Sequence, residues 1–197
     1  MLPQQSEWTF PLLEQYFDEI RTIAEDDFGL DVYPNQVEVI TAEQMIDAYS
    51  SVGLPVNYTH WSFGKQFVQD MQQYKKGQKG LAYEIVINSD PCIAYLMEEN
   101  TLPMQALVMA HACFGHNAFF KNNYLFKERT HADGIVDYMS YAKGYISDCE
   151  DKHGIEKVEE FLDSVHALRN YGVDHYIRPS QLSKQKRELQ QKARQDA

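Results

Sequence analysis

A chain of 197 residues, 44% hydrophobic and 13% aromatic, carries enough apolar material for one core with at most a small appendage. Its formal net charge of −11 argues against general nucleic-acid binding, which needs clustered lysine and arginine to meet phosphates. No run of about eighteen apolar residues occurs, so no membrane insertion is expected.

The amino-terminus, MLPQQSEW, lacks a basic or apolar leader pattern, and the three cysteines (Cys92, Cys113, Cys149) form no CxxC pair. An odd thiol count fits a reducing compartment better than a disulfide framework, so a cytoplasmic location is expected. Residues 11–27 repeat apolar side chains at helical spacing (Leu12, Leu13, Phe17, Ile20, Ala24), with Thr9 as a cap and Gly29 as the stop. Residues 36–40 alternate briefly and predict a short strand. Thr41 with Gln44 then makes a capping box for a helix that ends before Gly53-Leu54-Pro55. A further helix starts at Ser62 with Phe63, Phe67, Val68 and Met71 on one side, and KKGQKG reads as a solvated turn.

Residues 82–88 lie in LAYEIVIN, rich in β-branched residues and bounded by glycine and by Ser89-Asp90-Pro91, and predict the best strand of the chain. Asp90-Pro91 can start a short helix through Ile93, Leu96 and Met97, closing at Asn100. Thr101 and Pro103 look like the start of the next, an almost continuously apolar helix over 104–114. Residues 134–153 form an amphipathic helix rich in tyrosine (Tyr138, Tyr141, Tyr145), ended by Gly154. Residues 156–169 form another, with Val158, Phe161, Leu162, Val165 and Leu168 as its stripe. The fold class is therefore mainly α: a single compact helical domain over 1–179, with one or two short β-strands around 36–40 and 82–88. Six basic and two acidic residues follow from Arg178 onward, so residues 180–197 read as a basic polar tail, a solvated helix or disordered.

Chemistry concentrates in residues 111–124, HACFGHNAFFKNNY. A histidine on a helix buried on all sides must find a metal, a carboxylate or a carbonyl for its ring nitrogens. His111 and His116 are five apart, which on an unbroken α-helix separates them by roughly 140°. A zincin helix instead spaces its histidines four apart with a glutamate after the first, where this chain has Ala112. Gly115 could end the helix and swing His116 back towards His111. Two satisfied structural histidines is the plain alternative.

Glu150 with His153, and Asp163 with His166, have the i, i+3 spacing of di-metal helix bundles, though solvated helix faces carry such pairs by chance. Glu84, Glu98 and Glu99, which would have to complete such a site, lie at no diagnostic spacing. His60 beside Trp61 suits packing and capping. Asn117 shares the histidine segment, and Lys121 with Asn122 could donate hydrogen bonds to an anion or carbonyl, or simply build a turn. Cys113 sits among apolar neighbours, which favours inert packing over nucleophilic work. GxGxxG, GxxxxGK[ST] and GxSxG are absent, which disfavours nucleotide hydrolysis and serine hydrolysis.

The strings TAEQMIDAYSSVGLPVNYTHWSFGKQF, LAYEIVINSDPCIAYLMEENT, ALVMAHACFGHNAFFKNNYLF, IVDYMSYAKGYISDCE and FLDSVHALRNYGVDHY resemble the stage V sporulation protein R (SpoVR) family over residues 8–179. The resemblance implies a bacterial cytosolic protein associated with spore cortex formation, or with envelope and stress physiology where no spore is formed. Family members are generally more than twice this length, so the resemblance also implies an amino-terminal portion whose carboxy-terminal region is absent. It narrows the ligand candidates to His111, His116, Glu150 and His166, with Glu84 as a further one. Two functions follow: a regulatory or scaffold protein in which these histidines stitch a polar network and protein partners meet the surface, or a metal-dependent enzyme, hydrolase or oxidoreductase, using zinc, iron or manganese.

Overall fold

In the computed structural model of the chain, the described residues are 7–168 apart from 52 and 82. Helix α1 (Phe10–Arg21) has a proline in its first turn and one arginine in its last, and continues into a π-helical turn, Thr22–Asp27. Strand β1 (Asn35–Ile40) leads directly into α2 (Ala42–Ser50). The Thr41 hydroxyl accepts from the Gln44 amide at 3.2 Å while the Gln44 side chain accepts from the Thr41 amide at 2.9 Å, the reciprocal box that the sequence predicts. Helix α3 (Trp61–Lys75) follows, then strands β2 (Glu84–Ile87) and β3 (Cys92–Met97).

The three strands form one mixed sheet in the order β1-β3-β2. β1 runs parallel to β3, with Asn35 opposite Cys92 and Ile40 opposite Met97, and β2 runs antiparallel to it, with Glu84 opposite Leu96. The expected short helix through Ile93, Leu96 and Met97 is thus the central strand instead. A strand covered on both faces reads as a continuous apolar run, and its residues at i, i+3 and i+4 imitate a helical stripe. Cys92, Ala94 and Leu96 are fully buried, and Ile93 and Met97 nearly so. Asn100 ends no helix there; its amide group donates to the Tyr83 carbonyl at 3.1 Å.

Alternation along β3 divides the core into two layers. On one face Ala94 and Leu96 pack against Leu13, Ala24, Leu102, Val108, Met109, Ala112, Cys113 and Phe114. On the other, Met97 packs with Ala42 and Met45 of α2, and Tyr95 and Ile85 flank them. The mainly α class with a small sheet holds, with three strands where one or two were expected.

Helix α4 (Leu102–Met109) passes into a π-helix (Ala110–His116) and then α5 (Asn117–Asn122), α6 (Tyr124–Arg129) and α7 (Ile135–His153). Backbone contacts divide the chain into Met1–Ile155 and Glu156–Ala197. In the second unit the described residues belong to helix α8 (Ile155–Leu168), on which Phe161, Val165 and Leu168 are exposed. The predicted polar tail, 180–197, lies outside the described residues. Among the described residues, no helix is long and apolar enough to cross a membrane.

Candidate functional site

The segment that carries His111 and His116 does not break at Gly115. Its φ is not positive, and the helix runs through it with π winding from Ala110 to His116. Hydrogen bonds from i to i+5 stack residues five apart nearly above one another, so the two histidines that an α-helix would hold on diverging faces here share one. Their ring centroids are 4.4 Å apart. Extra residues per turn, rather than a glycine cap, bring these two rings together.

Glu84, the first residue of β2, supplies a third polar group from the sheet. It shares a strand face with Val86, which packs against Ala94, Cys113 and Phe114 beneath the π-helix. Its Oε1 accepts a hydrogen bond from Nδ1 of His111 and lies 3.8 Å from Nε2 of His116. The Glu84 side chain is 12% exposed, while those of His111 and His116 are 60% and 41% exposed. The other carboxylate oxygen, Oε2, is buried with no hydrogen-bond partner among the described residues. His116 also stacks on Phe120 at 5.8 Å, and Phe120 packs on Phe126 at 5.0 Å. One donor atom from each of Glu84, His111 and His116 can be chosen so that all three lie within 4.8 Å of one another. Two imidazoles and a carboxylate so placed can share a proton or hold a cation.

The neighbouring candidates are engaged in bracing the chain. Asn117 is fully buried and forms a two-way clasp with residue 33, accepting from the Tyr33 amide and donating to its carbonyl, both at 2.8 Å, and donating to Asn35 Oδ1 at 2.9 Å. Lys121 donates to Asp31 Oδ1 at 2.6 Å and to the Val32 carbonyl at 2.7 Å, and lies 5.4 Å from the centre of the Tyr33 ring. Asn122 donates to the carbonyls of Asp31 and Ala118. Together they tie α5 to the stretch that enters β1. His60 caps α3, its Nδ1 accepting from the Ser62 amide at 3.3 Å, and its ring packs near those of Trp61 and Phe63.

Glu150 is half-buried on α7 and is not among the grouped donors. His166, also half-buried, lies on α8 in the second unit. Burial pushes the Cys113 thiol up to about 12 and that of Cys92 to about 11, with the negative charge of Glu84 adding to the effect at Cys113. Both are protonated packing residues. Glu84 was legible in one respect: it is an acid on the inward-facing parity of an apolar strand, a placement that demands a partner. Asp31 and Asn35 carry no such signal, because their partners stand more than eighty residues away.

Residues 7–197 match the family model described as SpoVR like protein. The chain is also 62% identical over 190 residues to "Uncharacterized protein YcgB" of Escherichia coli (strain K12). That alignment covers 96% of this chain and 37% of the relative, so the chain spans little more than a third of that protein's length. No solved structure matches.

Proposed function

Since the chain belongs to the SpoVR-like family, we propose that it acts as a regulatory or scaffold protein that receives a protein partner on helix α7. The setting is the bacterial cytoplasm, and the process is spore cortex formation or, in an organism that forms no spores, envelope and stress physiology. The observation that supports this reading is the surface of α7. Over nineteen residues it has no fully buried side chain, and Tyr138, Tyr141 and Tyr145 are 65%, 69% and 59% exposed. Tyrosines at i, i+3 and i+7 present one amphipathic strip, with the carboxylates of Asp137 and Asp148 beside it and Lys152 at its carboxy-terminal end. Exposed aromatic rings beside carboxylates suit a partner surface that is apolar at its centre and basic at its rim. The polar groups of α5 are already engaged internally, which supports a braced platform in preference to a mobile catalytic loop.

Complementation of a chromosomal deletion tests the proposal. A full-length protein with Tyr138, Tyr141 and Tyr145 replaced by serine should fold with a thermal midpoint within about 2 °C of the parent, because little buried area is lost. It should nevertheless fail to restore the phenotype. Full complementation by this folded variant would overturn the reading.

A further inference from the structure

The geometry points to a divalent transition-metal site formed by Glu84, His111 and His116, which clips strand β2 to the π-helix. The three donor atoms, one from each side chain, already lie within 4.8 Å of one another. An ion with bonds of about 2.0–2.2 Å to nitrogen and oxygen holds its ligands roughly 3–3.5 Å apart, so side-chain rotation alone closes the site. The burial of each group says which part moves. Glu84 is fixed by the sheet and by its low exposure, whereas the two imidazoles face solvent, so the adjustment falls to His111 and His116.

A second observation concerns the carboxylate. Glu84 is largely withdrawn from water, yet its Oε2 has no partner among the described residues and its Oε1 has one hydrogen bond, from His111. A desolvated carboxylate with spare lone pairs is under-compensated, and a cation supplies what is missing. An ion bound at His111 Nδ1 takes the place of the His111–Glu84 hydrogen bond. Two imidazoles with one carboxylate suit zinc, iron(II) or manganese(II) and disfavour calcium and magnesium, which prefer all-oxygen shells. Because both rings are exposed, the remaining coordination positions face solvent. Stacking of His116 on Phe120 limits its ring to a few orientations.

The inference is independent of partner docking on α7, because it is read in the purified protein alone. Full chain without a histidine tag, treated with chelator and dialysed, is titrated with Zn²⁺ by calorimetry and with Co²⁺ by visible absorption. A single saturable ion per chain is expected, with cobalt d–d bands and a rise in thermal midpoint. His116→Ala removes an exposed ring and leaves the His111–Glu84 hydrogen bond in place, so it should fold. It should bind at least about 100-fold more weakly and lose both spectroscopic and thermal responses, since even outer partners of metal ligands contribute 10–100-fold. Glu84→Gln should behave likewise. Absence of saturable binding, or equal binding by the parent and His116→Ala, would overturn the site.

Discussion

Asn117→Ala removes the side chain that fastens α5 to the entrance of β1. In the folded protein Asn117 is fully buried and makes three hydrogen bonds of 2.8–2.9 Å, two with the backbone of Tyr33 and one with Asn35. Each is worth about 1 kcal/mol net, and truncation also strands the Tyr33 amide and carbonyl, so the cost should be about 3–4 kcal/mol. For a chain of this size about 1 kcal/mol shifts the midpoint by about 2–4 °C, which places the fall at about 6–16 °C. Asn117→Asp should do no better. It keeps the acceptor for the Tyr33 amide but turns a carboxylate oxygen towards the Tyr33 carbonyl and Asn35 Oδ1, which are themselves acceptors. Thermal and urea unfolding followed by circular dichroism measure the effect. A drop under about 2 °C in Asn117→Ala, with an unchanged urea slope, would refute the claim that this clasp holds the two segments together.

With Cys113 and Cys92 buried and their thiols raised, alkylation of the native protein at pH 8 should label Cys149 rapidly and the other two only after denaturation, read by mass spectrometry; prompt triple labelling would contradict it. Because those two folded values lie above the ordinary value of 9.0, the stabilisation from burying neutral thiols is complete below about pH 9 and is lost as pH rises through 11 to 12, so unfolding midpoints should fall across that window. Gly115→Ala should be tolerated or stabilising by about 0.5–1 kcal/mol, since a methyl there meets His111 Cδ2 at 3.7 Å and the Ala110 carbonyl at 3.8 Å, both ordinary contacts. A destabilised Gly115→Ala protein would show that the π winding needs glycine.

Local signals in the sequence carried far. The Thr41–Gln44 box, the amphipathic runs over 11–27 and 134–153, and the alternation at 36–40 depend on neighbours within a few residues, and each element is present. β3 carries a helix-like stripe because it is buried on both faces, and that burial is decided by helices from elsewhere in the chain. Similar reasoning covers the site. The five-residue spacing of His111 and His116 speaks against proximity on any α-helix, and nothing local in AHACFGH announces the change of winding. Glu84 stood among the candidates but ranked behind Glu150, because a strand residue shares no periodicity with a distant helix.

The pairing of β1 with β3 also governs the order in which a growing chain can become structured. Asn35 must wait for Cys92, 57 residues later, before its strand has a neighbour, and for Asn117, 82 residues later, before its side chain is clasped. At about 5–20 residues per second of synthesis, β1 remains an unpaired edge for several seconds. During that interval α2, whose Thr41–Gln44 box closes within its first turn, is the adjoining element whose hydrogen bonds need no distant partner. Chains released before residue 97 would therefore keep β1 unpaired, with Val37, Val39 and Ile40 available to a chaperone or to another nascent chain, and those released before residue 122 would leave its entrance unfastened.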